Sequence, residues 1–451
     1  MFRSKDPEQQ PLMWIATSDL PATPVNTFYQ QLDRALRKNH FGDTVRQLCA
    51  PFYVMDASRG GRPGVDPEVY FKMLMIGFFE NLGSERALAA RCADAFSIRA
   101  FLHYALTERT PDHSTLSVIR QRLPGEVYRE VFALVLKALK RHKLLKGNRL
   151  AIDASVLEAN ASLRALQHRC TGEAYAEYVR RLAAEAGVDP TDATAVRRFD
   201  KKRKKKTSND DWQNPHDPDA KVGRTKHGAT RMIYKPEHIV DVDTGAIVGV
   251  EVRPGDVHDT EGLAERVLES EATLNRALGV PLHTASIQVV VGDKGYDKVD
   301  ELTTLQAVKI RTAISDPIET RRVDELAPPQ RRAVRAAQRL VRSKRGKALL
   351  RRRGQTVERT FAHLLDGGGA RRTTLRGQAN IEKRYLIQAA CMNLSLLMRT
   401  LTGLGTPKQA LAAAARLLGV LTGSCRHQWT RWSTWIAAYA IAERFPYAAI
   451  A

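Results

Sequence analysis

Two aspartates stand where an ionised carboxylate is hard to keep. Asp153 lies midway along RLAIDASV (Arg149 to Val156), a short stretch of apolar and β-prone residues that reads as a buried strand. Asp293 follows IQVVVG (Ile287 to Gly292), a second such strand, with Gly292 and Gly295 allowing close backbone approach. A charged carboxylate beside apolar strand residues is costly unless a cation compensates it, and hard oxygen donors suit divalent ions such as Mg²⁺. Alone, Asp153 reads equally well as an acid turned outward on an edge strand or capping a turn. The recurrence at Asp293 favours the cation.

A third acid differs in kind. Glu358 falls on an amphipathic helix, Thr356 to Leu365, whose core face carries Val357, Phe361, Leu364 and Leu365. Its position suits a solvated helix acid, but it is the sole acid between Glu325 and Asp366, in a stretch dominated by arginine. Three carboxylates of this type match the needs of two-metal phosphoryl transfer, in which one ion activates an attacking oxygen and the other stabilises the leaving oxygen.

The elements that must position these acids follow a definite order. Residues 1–40 form an N-terminal extension, and 41–145 a helical module in which Leu116, Ile119 and Leu123 are buried and Arg120 and Arg122 face outward, as on a groove-reading helix, a pattern that bundle packing explains equally well. A core at 146–400 begins with the Asp153 strand and takes an insertion at about 158–231, partly flexible, with the basic run Lys201 to Lys206. A hairpin over His238 to Val252 turns at Asp243-Thr244-Gly245; Tyr234, Lys235 and His238 open its first strand as exposed residues. Asp259 and Thr260 suit the N-cap of a helix running to about Glu271, and Lys309 to Ile314 forms a further strand. Residues 401–451 are a helical tail. Strand, insertion, hairpin, helix, strand, helix is the order of an α/β, ribonuclease-H-like mixed-sheet core, here between an all-helical N-terminal module and a helical C-terminal region.

The strings AIDASVLEAN, PGDVHDT, VVVGDKGYD, GQTVERTFAHLL and RRTTLRG resemble, in that order, the Asp-Asp-Glu insertion-sequence transposases of bacteria. GRPGVDPEVYFKMLMIGFF and PDHSTLSVIRQRL are similar to the helical module preceding the catalytic core in that group, so the likeness spans roughly residues 40 to 400. The resemblance implies that Asp153, Asp293 and Glu358 are the catalytic acids, binding two Mg²⁺ ions for which Mn²⁺ can substitute. It also implies that Arg359, Arg372 and Arg376 grip phosphates beside the scissile bond. Some relatives carry a lysine about two turns after the glutamate; here Leu365 and Asp366 stand there, and Lys383 is a candidate substitute. The implied activity is DNA cleavage at element ends followed by strand transfer, with a homodimer acting on double-stranded DNA. A nuclease that cuts without joining, or an inactive DNA-binding regulator, would share most of these features.

Composition agrees with a nucleic-acid partner. The chain has 71 Lys and Arg against 49 Asp and Glu, a formal charge of +22, and eleven of the basic residues lie between Arg331 and Arg353 with no acid among them. Five scattered cysteines offer no zinc spacing and read as reduced thiols, mostly buried. The charged start lacks a secretory signal, and the apolar run Tyr385 to Met398 is well short of the ~20 residues that cross a bilayer, so a cytoplasmic, nucleoid-associated protein with no membrane contact is expected.

Overall fold

The computed structural model describes residues 24–53, 64–204, 208–225, 228–316 and 322–416. Seven helices come first: α1 (Pro24–Lys38), α2 (Phe41–Cys49), α3 (Pro67–Phe79), α4 (Glu85–Asp94), α5 (Phe96–Phe101), α6 (His113–Arg122) and α7 (Gly125–Arg141). The helical module therefore starts by Pro24 rather than at 41. Phe28, Tyr29, Leu32 and Leu36 recur along one face of α1 and are buried, so burying that stripe draws the helix into the bundle. Its centre is α3, nearly all apolar, started by Pro67 and capped by Asp66 Oδ1, which accepts the Glu68 N–H at 2.8 Å. The cation of α3, Lys72, is 1% exposed and donates to Asp33 on α1 and Glu68 one turn back, both at 2.8 Å. α6 begins at the Asp112 cap and buries Leu116 and Ile119.

The core is a seven-stranded mixed sheet. Strand β1 (Arg149–Ala154) pairs antiparallel with β6 (Thr230–Asp241) and parallel with β8 (Val289–Val291), which pairs parallel with β9 (Arg311–Ala313). β7 (Ile247–Pro254) adds antiparallel to β6 through the Asp243-Thr244-Gly245 turn, with Gly245 at φ 78°. Two short strands extend β6: β2 (Leu157–Glu158) meets Tyr234 and Ile233, and β5 (Lys221–Arg224) meets Ile233 to Thr230. This is a ribonuclease-H-like sheet, and the parallel β1 and β8 bring their C-terminal ends, hence Asp153 and Asp293, to one edge.

Between β2 and β5 the insertion is a folded unit. Strands β3 (Gln167–His168) and β4 (Trp212–Gln213) pair, with helices α8 (Tyr175–Glu185) and α9 (Ala193–Lys202) between them, and the buried Trp212 packs edge-on against Tyr175 and His168. Its core is thus aromatic rather than loosely held, and β5 belongs to the main sheet. Of the lysine run, residues 205–206 lie outside the described residues.

Two local expectations change. α10 (Leu263–Leu278) starts at Gly262 in the left-handed region, not at Asp259: the His258 ring bonds Thr260 Oγ1, and Asp259 accepts from Lys235 Nζ at 3.1 Å. Tyr234 and His238 are fully buried rather than exposed, because β6 is covered on both faces. After α11 (Val299–Ala307) the basic segment is two helices, α12 (Pro328–Arg342) and α13 (Lys344–Phe361), since Ser343 leaves helical geometry to cap the second through Gly346 N.

Helix α14 (Gln378–Thr402) lies against α3, α7 and β7. Its Asn393, 1% exposed, donates to Ile247 C=O at 2.8 Å and accepts from Ile247 N–H at 2.9 Å. Replacing Asn393 with Leu orphans both backbone groups at this edge of β7, and denaturant unfolding should show a loss of about 2 kcal/mol. Residues 407–416 are helical, while the rest of the expected tail, with Cys425, lies outside the described residues. Cys49, Cys92 and Cys391 are buried and Cys170 exposed, all free. Among the described residues no helix is long and apolar enough to cross a membrane.

Candidate active site

β1 carries Asp153 at its penultimate position, opposite His238 of β6, and β8 ends two residues before Asp293. Asp293 is locked by its own turn, Oδ1 accepting from Gly295 N–H at 2.9 Å. Between the two carboxylates sits a residue that sequence reasoning passed over. Arg353, on the sheet-facing side of α13, lies 2.9 Å from Asp153 Oδ2 and 4.0 Å from Asp293 Oδ2, and its Nε donates to the Ile152 carbonyl at 3.3 Å. Its side chain is 13% exposed, against 22% and 48% for the aspartates, so the cation lies beneath the acids with their outer oxygens toward solvent. Only its shared inward face with Val357 and Phe361 marks it in a run of three arginines.

Glu358 is not gathered with them. Five residues beyond Arg353 the helix has turned it away, and it is exposed. Among the described residues no three acids, histidines or cysteines converge closely enough to hold a metal.

Behind the acids lies a buried polar layer, also unforeseen. Glu237 on β6 is 2% exposed, ion-paired with Arg266 of α10 and near Arg253, and it accepts from Tyr296 Oη at 2.6 Å, three residues after Asp293. Burial pushes Glu237 up to about 6 despite the two arginines. The pair Glu237-His238 directly before the apolar Ile239-Val240 of β6 was the available signal.

His238 joins three elements. Its Nδ1 is 2.8 Å from Thr360 Oγ1 on α13, its Nε2 2.8 Å from Tyr385 Oη on α14, and its ring stacks on Phe361 at 3.9 Å. The Thr360 hydroxyl donates its proton to Val357 C=O at 2.8 Å and so accepts from Nδ1–H, leaving Nε2 to accept from Tyr385. This arrangement requires a neutral ring, and burial holds its pKa down to about 3.

The basic residues expected on DNA divide. Arg372 is exposed beside Glu158, and Arg376 is exposed with its Nε donating to Asn160 C=O, both near the end of β2 that follows Asp153. Arg359 instead lines a cavity that does not include Arg353. Arg120 does not point outward: its side chain is 12% exposed and ion-paired with Glu85 of α4, because the α4–α6 contact covers that face. Lys383 donates to the Arg120 carbonyl at 3.0 Å over the Tyr128 ring, with burial lowering its pKa, so it ties α14 to α6 rather than replacing the missing lysine. Arg122 is exposed, its guanidinium 5.0 Å from the Tyr53 ring.

Two family models match this chain. A transposase domain (DUF772) matches residues 21–122, the helical module, and a transposase DDE domain matches residues 188–394, from the insertion through most of α14. The chain is a DDE-type insertion-sequence transposase. Asp293 and Glu358 fall inside the second match, whereas Asp153 precedes it and stands on geometry. No curated protein and no solved structure matches the transposase. Its family makes it a nucleic-acid-processing enzyme that binds DNA, of a kind generally dependent on divalent metal.

Proposed function

We propose that the transposase cuts DNA at the ends of its element and joins the freed 3′ hydroxyls to target DNA, using Asp153, Asp293 and Glu358. The observation that carries this reading is the meeting of Asp153 and Asp293 from adjacent parallel strands at one guanidinium. Their hard oxygen donors, already neutralised by a cation, fit a divalent ion such as Mg²⁺, or Mn²⁺ in its place. Asp153 and Asp293 would hold it, with Glu358 completing the set once α13 turns or shifts. When bound, the metal supplies activation of the attacking oxygen and charge stabilisation of the leaving one. Arg353 keeps the two carboxylates in register before loading, and the exposed Arg372 and Arg376 would hold phosphates flanking the reacting bond. Action on two ends calls for two copies, so a homodimer on DNA belongs to the proposal.

The experiment is an in vitro reaction on end-bearing DNA with a plasmid target. Mg²⁺-dependent nicking and joined products are expected. Cutting without joining would favour a nuclease, and activity that persists in excess chelator would overturn the metal reading.

Arg353 gives a separate readout. Since its charge occupies the space between the aspartates, Arg353→Gln should tighten Mn²⁺ binding about tenfold, equivalent to ~1.4 kcal/mol, as followed by electron paramagnetic resonance of free Mn²⁺. Unchanged affinity would mean that the arginine does not compete with the ion.

A further inference from the structure

Along a flank of α13 that does not include Arg353 lies a cavity of about 450 Å³. Its walls come from α3, the β6–β7 turn, α13, α14 and the helical stretch 407–416. Arg359, Arg399 and Lys408 line it, all exposed, and none forms an ion pair among the described residues. The one acid on the wall, Asp243, is already shared by Arg149 and Arg352, so it does not neutralise them. His363 at the same cavity registers the field: burial first, then Arg399 and Arg359, depress its pKa. Phe78 and Phe79 are mostly buried beneath, and Met392 and Leu396 half-buried beside them, giving the charged cavity an apolar wall.

We infer that this cavity is a second binding site, for a nucleotide whose phosphate meets Arg359, Arg399 and Lys408 while its base lies on the apolar wall. Guanidinium groups match phosphate oxygens in pairs, base faces tolerate apolar and aromatic neighbours, and the volume is within the range of small-ligand sites. Neither Asp153 nor Asp293 lines the cavity, so the site is separate from the acids and does not rest on the cleavage proposal. Two sources share this chemistry: a free nucleotide, or one nucleotide of a DNA strand crossing the cavity.

Equilibrium titration of the full chain with dAMP, deoxyadenosine and a short single-stranded oligonucleotide distinguishes them. Saturable dAMP binding that weakens at least about tenfold in Arg399→Gln/Lys408→Gln, with none for deoxyadenosine, places a free nucleotide there. If dAMP does not bind but the oligonucleotide loses that factor in the double variant, the strand is the occupant. Both substitutions are at exposed positions, and an unchanged melting temperature verifies that the fold is kept. Asp153→Asn should leave either affinity unaltered. Wild-type affinity for both probes in the double variant, or loss of dAMP binding in Asp153→Asn, overturns the assignment, and neither outcome bears on cleavage at the acids.

Discussion

Asp153→Asn and Asp293→Asn are each expected to lower the rate of DNA cleavage by about a thousandfold or more, a barrier increase of ~4 kcal/mol. The substitution keeps size and removes charge, so what is lost is the ability to hold a divalent cation. Arg353 then has one carboxylate rather than two, but its Nε still donates to Ile152 C=O, and neither aspartate is deeply buried. The melting temperature should move little, and gel-shift affinity for end DNA should persist. Either variant cutting at near wild-type rate would remove that residue from the site. Glu358→Gln is the sharper comparison, because this acid is exposed and turned from the other two. A loss matching the aspartates would require α13 to rotate or shift on loading; an effect within a fewfold would take Glu358 out of the catalytic set.

The second large effect is on stability against pH. In the unfolded chain His238 titrates near 6.5, and in the folded protein near 3 because the ring is fully buried. Above about 6.5 it is neutral in both states and contributes no pH dependence. As pH falls below 6.5 the unfolded chain takes up a proton that the folded chain refuses, so stability declines, levelling only below about 3. Each pH step of one between those two values removes ~1.4 kcal/mol, so the full loss is on the order of 5 kcal/mol. His238→Gln, whose amide can donate to Thr360 and accept from Tyr385 at every pH, isolates this share from that of the carboxylates. Urea unfolding of both proteins should differ by a constant above pH 6.5, with the wild type losing ground below it. Parallel curves down to about pH 4 would mean that the ring is protonated in place.

What the sequence made legible was whatever depends on one strand or one helix at a time. Asp153 and Asp293 stood out because each interrupts or ends an apolar run, and the hairpin because Asp243-Thr244-Gly245 suits its turn. Arg353 did not, since its neighbours Arg351 and Arg352 are chemically identical and only the packing of α13 on the sheet selects it. Arg120 was read as outward from the apolar face of its helix and Lys383 as a stand-in for the family's lysine, and neither pattern reveals that α4 covers Arg120 or that Lys383 reaches across to α6. His238 and Tyr234 looked exposed because neither the cover on the second face of β6 nor Asp217, which accepts from Tyr234 Oη, is visible from the strand itself.

The insertion leaves the sheet at β2 and rejoins it at β5, and both strands pair with the same residue, Ile233, from opposite sides of β6. Two strand spacings, about 10 Å, separate the departure from the return. A linker of a few residues could close that gap, so the inserted unit can be lengthened, replaced or lost without re-registering the strand that holds Asp153. Evolution can therefore remodel what this arm of the transposase touches independently of the chemistry at the sheet edge.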